Sequence, residues 1–213
     1  KYALATSSGM AASSLVFGLL KEGNHVLFSS NVYGGTFRYF SNLFEDRGIK
    51  GELVDDVNNL KEEDLKDVTA IFIETPSNPL LEVYDIEHIA SLAHANNALL
   101  IVDNTFLTSY FQKPLDFGAD IVVYSATKYY GGHSDVIAGL VVTNNDDLYT
   151  KLKFLHNTYG NILSPFDSFL LQRGIKTLGV RLDRHQNNAL RMAEYLDNHQ
   201  AVKKVYYPGL QTH

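Results

Sequence analysis

Residues 99–103 read LLIVD and residues 120–124 read DIVVY. Each is a short, unbroken apolar run rich in β-branched residues. A strand that covers one face alternates apolar and polar residues, whereas one with no alternation is buried on both faces, as in a parallel sheet sandwiched by helices. Working outward, further strand candidates fall at His25–Phe28, Glu52–Val54, Ala70–Glu74 and Gly139–Thr143, with DIVVY supplying a strand over Ile121–Tyr124. Helical patterns occupy Gly9–Leu20, Thr36–Arg47, Ile86–Asn96 and Leu148–Leu155. This alternation predicts an α/β domain with a mostly parallel, doubly wound sheet flanked by helices. A long polar helix is expected from Leu178 to Asn198, followed by VKKVYYPGL with Pro208-Gly209 as a turn. The first residues read as running into a Ser/Gly loop with no strand or helix before it.

Composition excludes several classes. Lys and Arg number 18 against 24 Asp and Glu, a net charge of −6, and no basic run exists to meet nucleic acid or an anionic membrane. Apolar stretches are too short to span a bilayer. Absence of cysteine removes disulfides, thiolate metal sites and a cysteine nucleophile, and it agrees with a cytoplasmic protein. The eight histidines never fall within five positions of each other, so no HxxxH metal pair occurs. No two of the 15 glycines form G-x-G, which removes the dinucleotide fingerprint, and the P-loop and G-x-S-x-G are also missing.

In an open α/β sheet ligands bind beyond the carboxyl ends of the strands. Four polar clusters lie at such places: Thr6-Ser7-Ser8-Gly9 before the first helix, Thr75-Pro76-Ser77-Asn78-Pro79, Asp103-Asn104-Thr105, and Ser125-Ala126-Thr127-Lys128. A helix start suited to an anion, a carboxylate, and a lysine between hydroxyl residues together suit pyridoxal phosphate. That cofactor needs an amine for its aldehyde, a carboxylate for its ring nitrogen, and backbone N–H groups with hydroxyls for its phosphate. Lys128, Asp103, and the Ser7–Met10 turn with Ser125 and Thr127 meet those needs in order, and Tyr33 before Gly34-Gly35 offers a ring to stack.

Plainer readings exist for each residue. Lys128 alone would be a solvated charge, Asp103 a helix cap, Tyr33 one of 13 tyrosines, and Ser7 or Ser8 a simple cap. Ser125 to Lys128 also fits S-x-x-K, but the downstream S-D-N and K-T-G partners are missing. His133 reads as a hydrogen-bonding loop residue, and Arg38 and Arg173 as core salt-bridge partners.

Taken together, SSGMAA, VYGGTFRYF, ETPSNPLLEV, IVDNTF, SATKYYGGHSDVIAG, SPFDSFLLQRGIKTL and VYYPGL resemble the Cys/Met-metabolism, or trans-sulfuration, branch of the pyridoxal-phosphate enzymes. The resemblance covers the chain almost end to end and lies nearest the cystathionine β- and γ-lyases. It implies the large domain of a fold-type-I pyridoxal-phosphate enzyme over residues 1–198, with 199–213 starting a connector to a small C-terminal domain that, like the N-terminal arm, lies outside the chain. It implies Lys128 as the Schiff-base lysine, Asp103 as partner of the ring nitrogen and Tyr33 as the stacking ring. It further implies phosphate contacts from Ser8, Gly9, Met10, Ser125 and Thr127, with Thr105 near the ring and Asn78 near the cofactor O3′ and the substrate carboxylate; Ser77 and Glu74 are weaker carry-overs. The implied activity is cleavage of cystathionine or a related thioether amino acid, with γ-synthase or sulfhydrylase chemistry, or a non-catalytic cofactor-binding fragment, as alternatives. Gly35 stands where the methionine γ-lyase pattern has cysteine. The implied partners are a small amino-acid substrate and further copies of the chain, a dimer of dimers with sites shared across the dimer; the substrate-carboxylate arginine is expected outside this chain.

Overall fold

The computed structural model describes residues 1–211. Seven strands form one sheet: β1 (Tyr2–Thr6), β2 (His25–Ser29), β3 (Lys50–Val54), β4 (Ala70–Glu74), β5 (Leu99–Asp103), β6 (Ile121–Ser125) and β7 (Gly139–Thr143), in the spatial order β1-β7-β6-β5-β4-β2-β3. The five strands β6, β5, β4, β2 and β3 pair in parallel, while β7 is antiparallel to both β6 and β1. The helices are α1 (Gly9–Phe17), α2 (Gly34–Leu43), α3 (Ile86–Ala95), the short α4 (Thr108–Phe111), α5 (Asp146–Tyr159), α6 (Pro165–Ile175) and α7 (Leu178–Asp197).

Alternate residues of the central strands feed two separate cores. Val26, Phe28, Phe72, Ile101, Ile121 and Val123 face one side, where α1, α2 and α5 cover them. Leu27, Ile71, Ile73, Leu100, Val102 and Val122 face the other, under α3, α6 and α7. Both faces are therefore apolar, which is why LLIVD and DIVVY carry no polar alternation. The first core is aromatic at its centre: Phe28 stacks on Phe40 at 4.2 Å, and Phe17 meets Phe28, Phe44 and Phe72 at 5.9, 5.4 and 5.5 Å.

The strand candidates all form, with boundaries shifted by two residues at most. The absence of structure before Gly9 does not hold: Tyr2–Thr6 is a strand. YALAT is a half-exposed edge with two alanines, poor β formers, and it exists because its register against Gly139–Thr143 satisfies its backbone from more than 130 residues away. Since β1 and β6 are both antiparallel to β7, they point the same way, and β1 delivers the start of α1 to the edge where β6 ends. Two further elements lay outside the sequence reading, α4 and α6. Helix α6 opens on Pro165 after a Ser164 cap that accepts from the Asp167 N–H. Helix α1 ends at Phe17, three residues before the expected Leu20, and α5 runs longer than expected, from an Asn145 cap to a left-handed Gly160.

Candidate cofactor site

The carboxyl ends of β4, β5 and β6 lie side by side with the start of α1. Thr6 pairs with Gly139, and Gly139 with Ser125, so the ends of β1 and β6 flank the first residue of β7. Contact here is backbone-close: a Cβ on Gly9 would sit 2.7 Å from Ser125 Cβ, and one on Gly139 would sit 2.1 Å from the Ser8 carbonyl oxygen. Glycine at both places lets the first turn of α1 press against the Ser125–Lys128 turn.

The Ser8 side chain caps α1 by accepting from the Ala11 N–H at 3.0 Å, and the Ala12 N–H bonds the Ser8 carbonyl. The Gly9 and Met10 N–H groups occupy the first two helical positions, where an α-helix provides no internal acceptor. The Ser7 N–H donates to the Asn161 carbonyl at 3.0 Å, and Asn161 Nδ2 donates to the Ala11 carbonyl at 3.1 Å, so a segment remote in sequence braces the turn. The result is a fixed helix N-terminus with two free amides, suited to an anion.

Asp103 ends β5 and pairs in register with Glu74 at the end of β4. Burial pushes the Asp103 carboxyl up from its ordinary range, opposed by hydrogen bonds from Thr105. One of these is the Thr105 N–H to Asp103 Oδ1, 3.0 Å. Thr105 Oγ1 in turn accepts from the Ser125 N–H at 2.7 Å, so one threonine orients the carboxylate and ties β5 to β6. Burial, with the Asp103 charge beside it, pushes Glu74 up to about 8, against the pull of the Tyr33 N–H that donates to Glu74 Oε2 at 2.7 Å.

Lys128 lies in the turn after β6, its N–H bonded to the Ser125 carbonyl at 3.2 Å and its carbonyl accepting from the Gly132 N–H at 2.8 Å. Its side chain is exposed, and among the described residues Nζ has no hydrogen bond or ion pair. The Thr127 hydroxyl is engaged: it donates to the Ala138 carbonyl at 3.2 Å and accepts the Ala138 N–H at 3.0 Å. A phosphate contact from Thr127 would require that hydroxyl proton to be exchanged, whereas Ser125 Oγ has no such commitment among the described residues.

Tyr33 is 56% exposed and lies over Gly35 and Met10: a Cβ on Gly35 would be 2.5 Å from Tyr33 Cε1 and 2.7 Å from Met10 Sδ. Asn78 is exposed, while Ser77 is fully buried and works for the loop, its Oγ accepting the Glu82 N–H at 3.1 Å. The His133 ring hydrogen-bonds the Gly131 carbonyl at 2.7 Å, as a loop residue should. Arg173 pairs with Asp135 at the surface rather than in the core, and Arg38 is exposed with no ion pair among the described residues. Three supporting residues were given no role by the sequence. Asn104, fully buried, donates to the Thr108 and Gln112 carbonyls at 3.1 and 2.8 Å. Glu82 holds the Asn78 loop, and Arg181 reaches back from α7 to the Tyr129 carbonyl at 2.8 Å. Glu82 and Arg181 act through long-range contacts that only the fold creates.

An amine unpaired among the described residues, a buried carboxyl pair, and a close-packed helix N-terminus define a domain that fits a phosphorylated, ring-bearing cofactor. The fit rests on the glycine cradle at Gly9 and on the pairing of Asp103 with Glu74. Comparison with known proteins gives the family. The family model described as "Cys/Met metabolism PLP-dependent enzyme" matches residues 1–213. A cystathionine β-lyase of Lactococcus lactis subsp. cremoris is 52% identical over 214 residues, covering 98% of this chain and 56% of that protein. A cystathionine γ-lyase of Dictyostelium discoideum is 48% identical, covering 100% and 56%. The crystal structure of a cystathionine γ-lyase from Lactobacillus plantarum complexed with L-serine superposes with a TM-score of 0.94 at 45% identity, over 100% of this chain and 56% of that one. The chain therefore belongs to the pyridoxal-phosphate-dependent enzyme family of Cys/Met metabolism, and it spans little more than half the length of these relatives.

Proposed function

We propose that this chain forms the cofactor-binding part of a pyridoxal-phosphate-dependent carbon–sulfur lyase that cleaves cystathionine or a related thioether amino acid. The observation that carries the reading is the free Lys128 amine in a turn pressed by Gly9 against the α1 N-terminus, one strand from Asp103. Residues 1–198 make the cofactor domain, and the assembly is a cytoplasmic homo-oligomer whose subunits share sites. Among the described residues no helix is long and apolar enough to cross a membrane.

In this reading the amides of Gly9 and Met10, with Ser8 and Ser125 beside them, hold the phosphate. Asp103, oriented by Thr105, would accept a hydrogen bond from the ring nitrogen and keep its proton in place. Tyr33 would cover one ring face and Asn78 would approach O3′ and the substrate carboxylate, while Thr127 supports the turn. Bound there, pyridoxal phosphate supplies the sink for charge developing at the substrate Cα. Lys128 Nζ would hold the cofactor's aldehyde and, with substrate seated, would act as general base toward the substrate Cα proton. Sulfur then leaves as thiolate from Cβ, or from Cγ once a second proton has been removed from Cβ. A probable cystathionine γ-synthase of Herpetosiphon aurantiacus, 43% identical, supports γ-replacement as the second reading.

Borohydride reduction of the full-length protein with pyridoxal phosphate should leave the pyridoxyl label on the peptide containing Lys128, and the reconstituted protein should release pyruvate or 2-oxobutanoate from cystathionine. A label on another lysine overturns the site. A labelled Lys128 with neither product, but with cystathionine formed from an activated homoserine ester and cysteine, selects the synthase reading.

A further inference from the structure

Two loops at the site edge carry exposed side chains. Residues 30–33 end in Tyr33, and residues 75–82 carry Asn78. Two carboxylates tie these loops together. Glu74 Oε2 accepts the Tyr33 N–H at 2.7 Å, and Glu82 Oε2 accepts Asn31 Nδ2 at the same distance. Glu82 is itself held by the Tyr84 hydroxyl at 2.8 Å and the Ser77 hydroxyl at 3.3 Å, and the Glu74 N–H donates to Ser29 Oγ at 3.2 Å. Tyr33 is the N-cap of α2 and has no side-chain cap bond, so the Glu74 carboxyl supplies the acceptor for its N–H.

We propose that Glu74 is a positioning residue, acting with the Glu82–Asn31 bond as a two-point clasp that sets the Tyr33 ring over the cofactor pocket. The proposal rests on the site reading above. A tyrosine more than half exposed, its ring beside Gly35, is not fixed by side-chain packing alone and keeps a stacking pose only if its backbone is held. The carboxyl is needed here as an acceptor, not as a charge. Glu74 already faces Asp103 in register, and a second negative charge at that place is repelled.

A double-mutant cycle on pyridoxal phosphate affinity tests this in the full-length protein. Glu74→Ala should weaken binding about tenfold and diminish the visible circular dichroism of the bound cofactor. Glu74→Gln, which keeps an acceptor oxygen, should stay within about threefold of wild type. Tyr33→Ala should absorb the loss, so that the double variant with Glu74→Ala binds no more than about twofold weaker than Tyr33→Ala alone. Asn31→Ala, which leaves Glu74 intact, should weaken binding by a few-fold and be absorbed likewise. Gln behaving as Ala does, or losses that multiply in the Tyr33→Ala background, would overturn the clasp. Borohydride labelling of wild type separates the two failures. If Lys128 labels while the cycle is multiplicative, only the clasp falls; if Lys128 does not label, the site reading falls and the clasp with it.

Discussion

At the scale of single residues, the Glu74–Asp103 pair has a consequence for stability. The unfolded chain titrates Glu74 near 4.5, and the folded chain near 8 because burial and the Asp103 charge disfavour the carboxylate. Between those values the folded state holds the extra proton. Stability is then highest below about pH 4.5 for this group and is lost as pH rises toward 8. The melting temperature of the cofactor-free protein should fall through this window, by on the order of 5 °C from Glu74. Glu74→Gln should flatten the fall, as calorimetric melts across pH 5 to 8.5 would read; an unchanged slope would move its origin elsewhere. Asp103 was legible as a chemical group from its place after LLIVD. That its charge raises Glu74 was not, since residues 74 and 103 meet only through strand register.

At the scale of elements, the aromatic layer between β2, β4, α1 and α2 holds the site's floor. Phe28 is fully buried, stacked on Phe40, and in contact with Phe17, Phe44 and Phe72. Removing that ring leaves a cavity its rigid neighbours cannot fill, so Phe28→Ala should cost about 3–5 kcal/mol. Urea unfolding would measure it, and a loss under about 1 kcal/mol would show that the layer collapses onto the gap. Elements with strong local patterns were readable: α3, for instance, starts at an Asp85 cap and keeps its apolar side inward. β1 and α6 were not. The first has two alanines and only one buried residue, and the second leaves Phe166 and Phe169 more than 60% exposed, so neither shows a clean buried face.

At the scale of the whole molecule, the lysine turn is held from the far end of the chain. Arg181 on α7 donates through Nη1 to the Tyr129 carbonyl at 2.8 Å, through Nη2 to the Gly174 carbonyl at 2.9 Å, and through Nε to Thr177 Oγ1 at 3.0 Å. Its guanidinium fills the space above Gly132, whose φ of +69° and close contact exclude a side chain there. A lysine cannot reproduce three divergent bonds. Arg181→Lys should therefore destabilise by about 1–3 kcal/mol and speed hydrogen exchange at the Gly131 and Gly132 amides. Exchange at those amides equal to wild type would show that the turn stands without the tether.

The sequence by itself determined the class of sheet, because apolar strands without alternation need cover on both faces. It also determined the chemical groups on offer, because local motifs name an amine, a carboxylate and a helix start directly. Tertiary structure decided how those groups are braced. Pairing of β1 with β7 carries the α1 amides to the end of β6, strand register sets Glu74 against Asp103, and Glu82 and Arg181 hold loops from 51 and 52 residues away in sequence. Such contacts leave no periodicity or spacing behind, since they join segments whose separation along the chain is set by the fold alone.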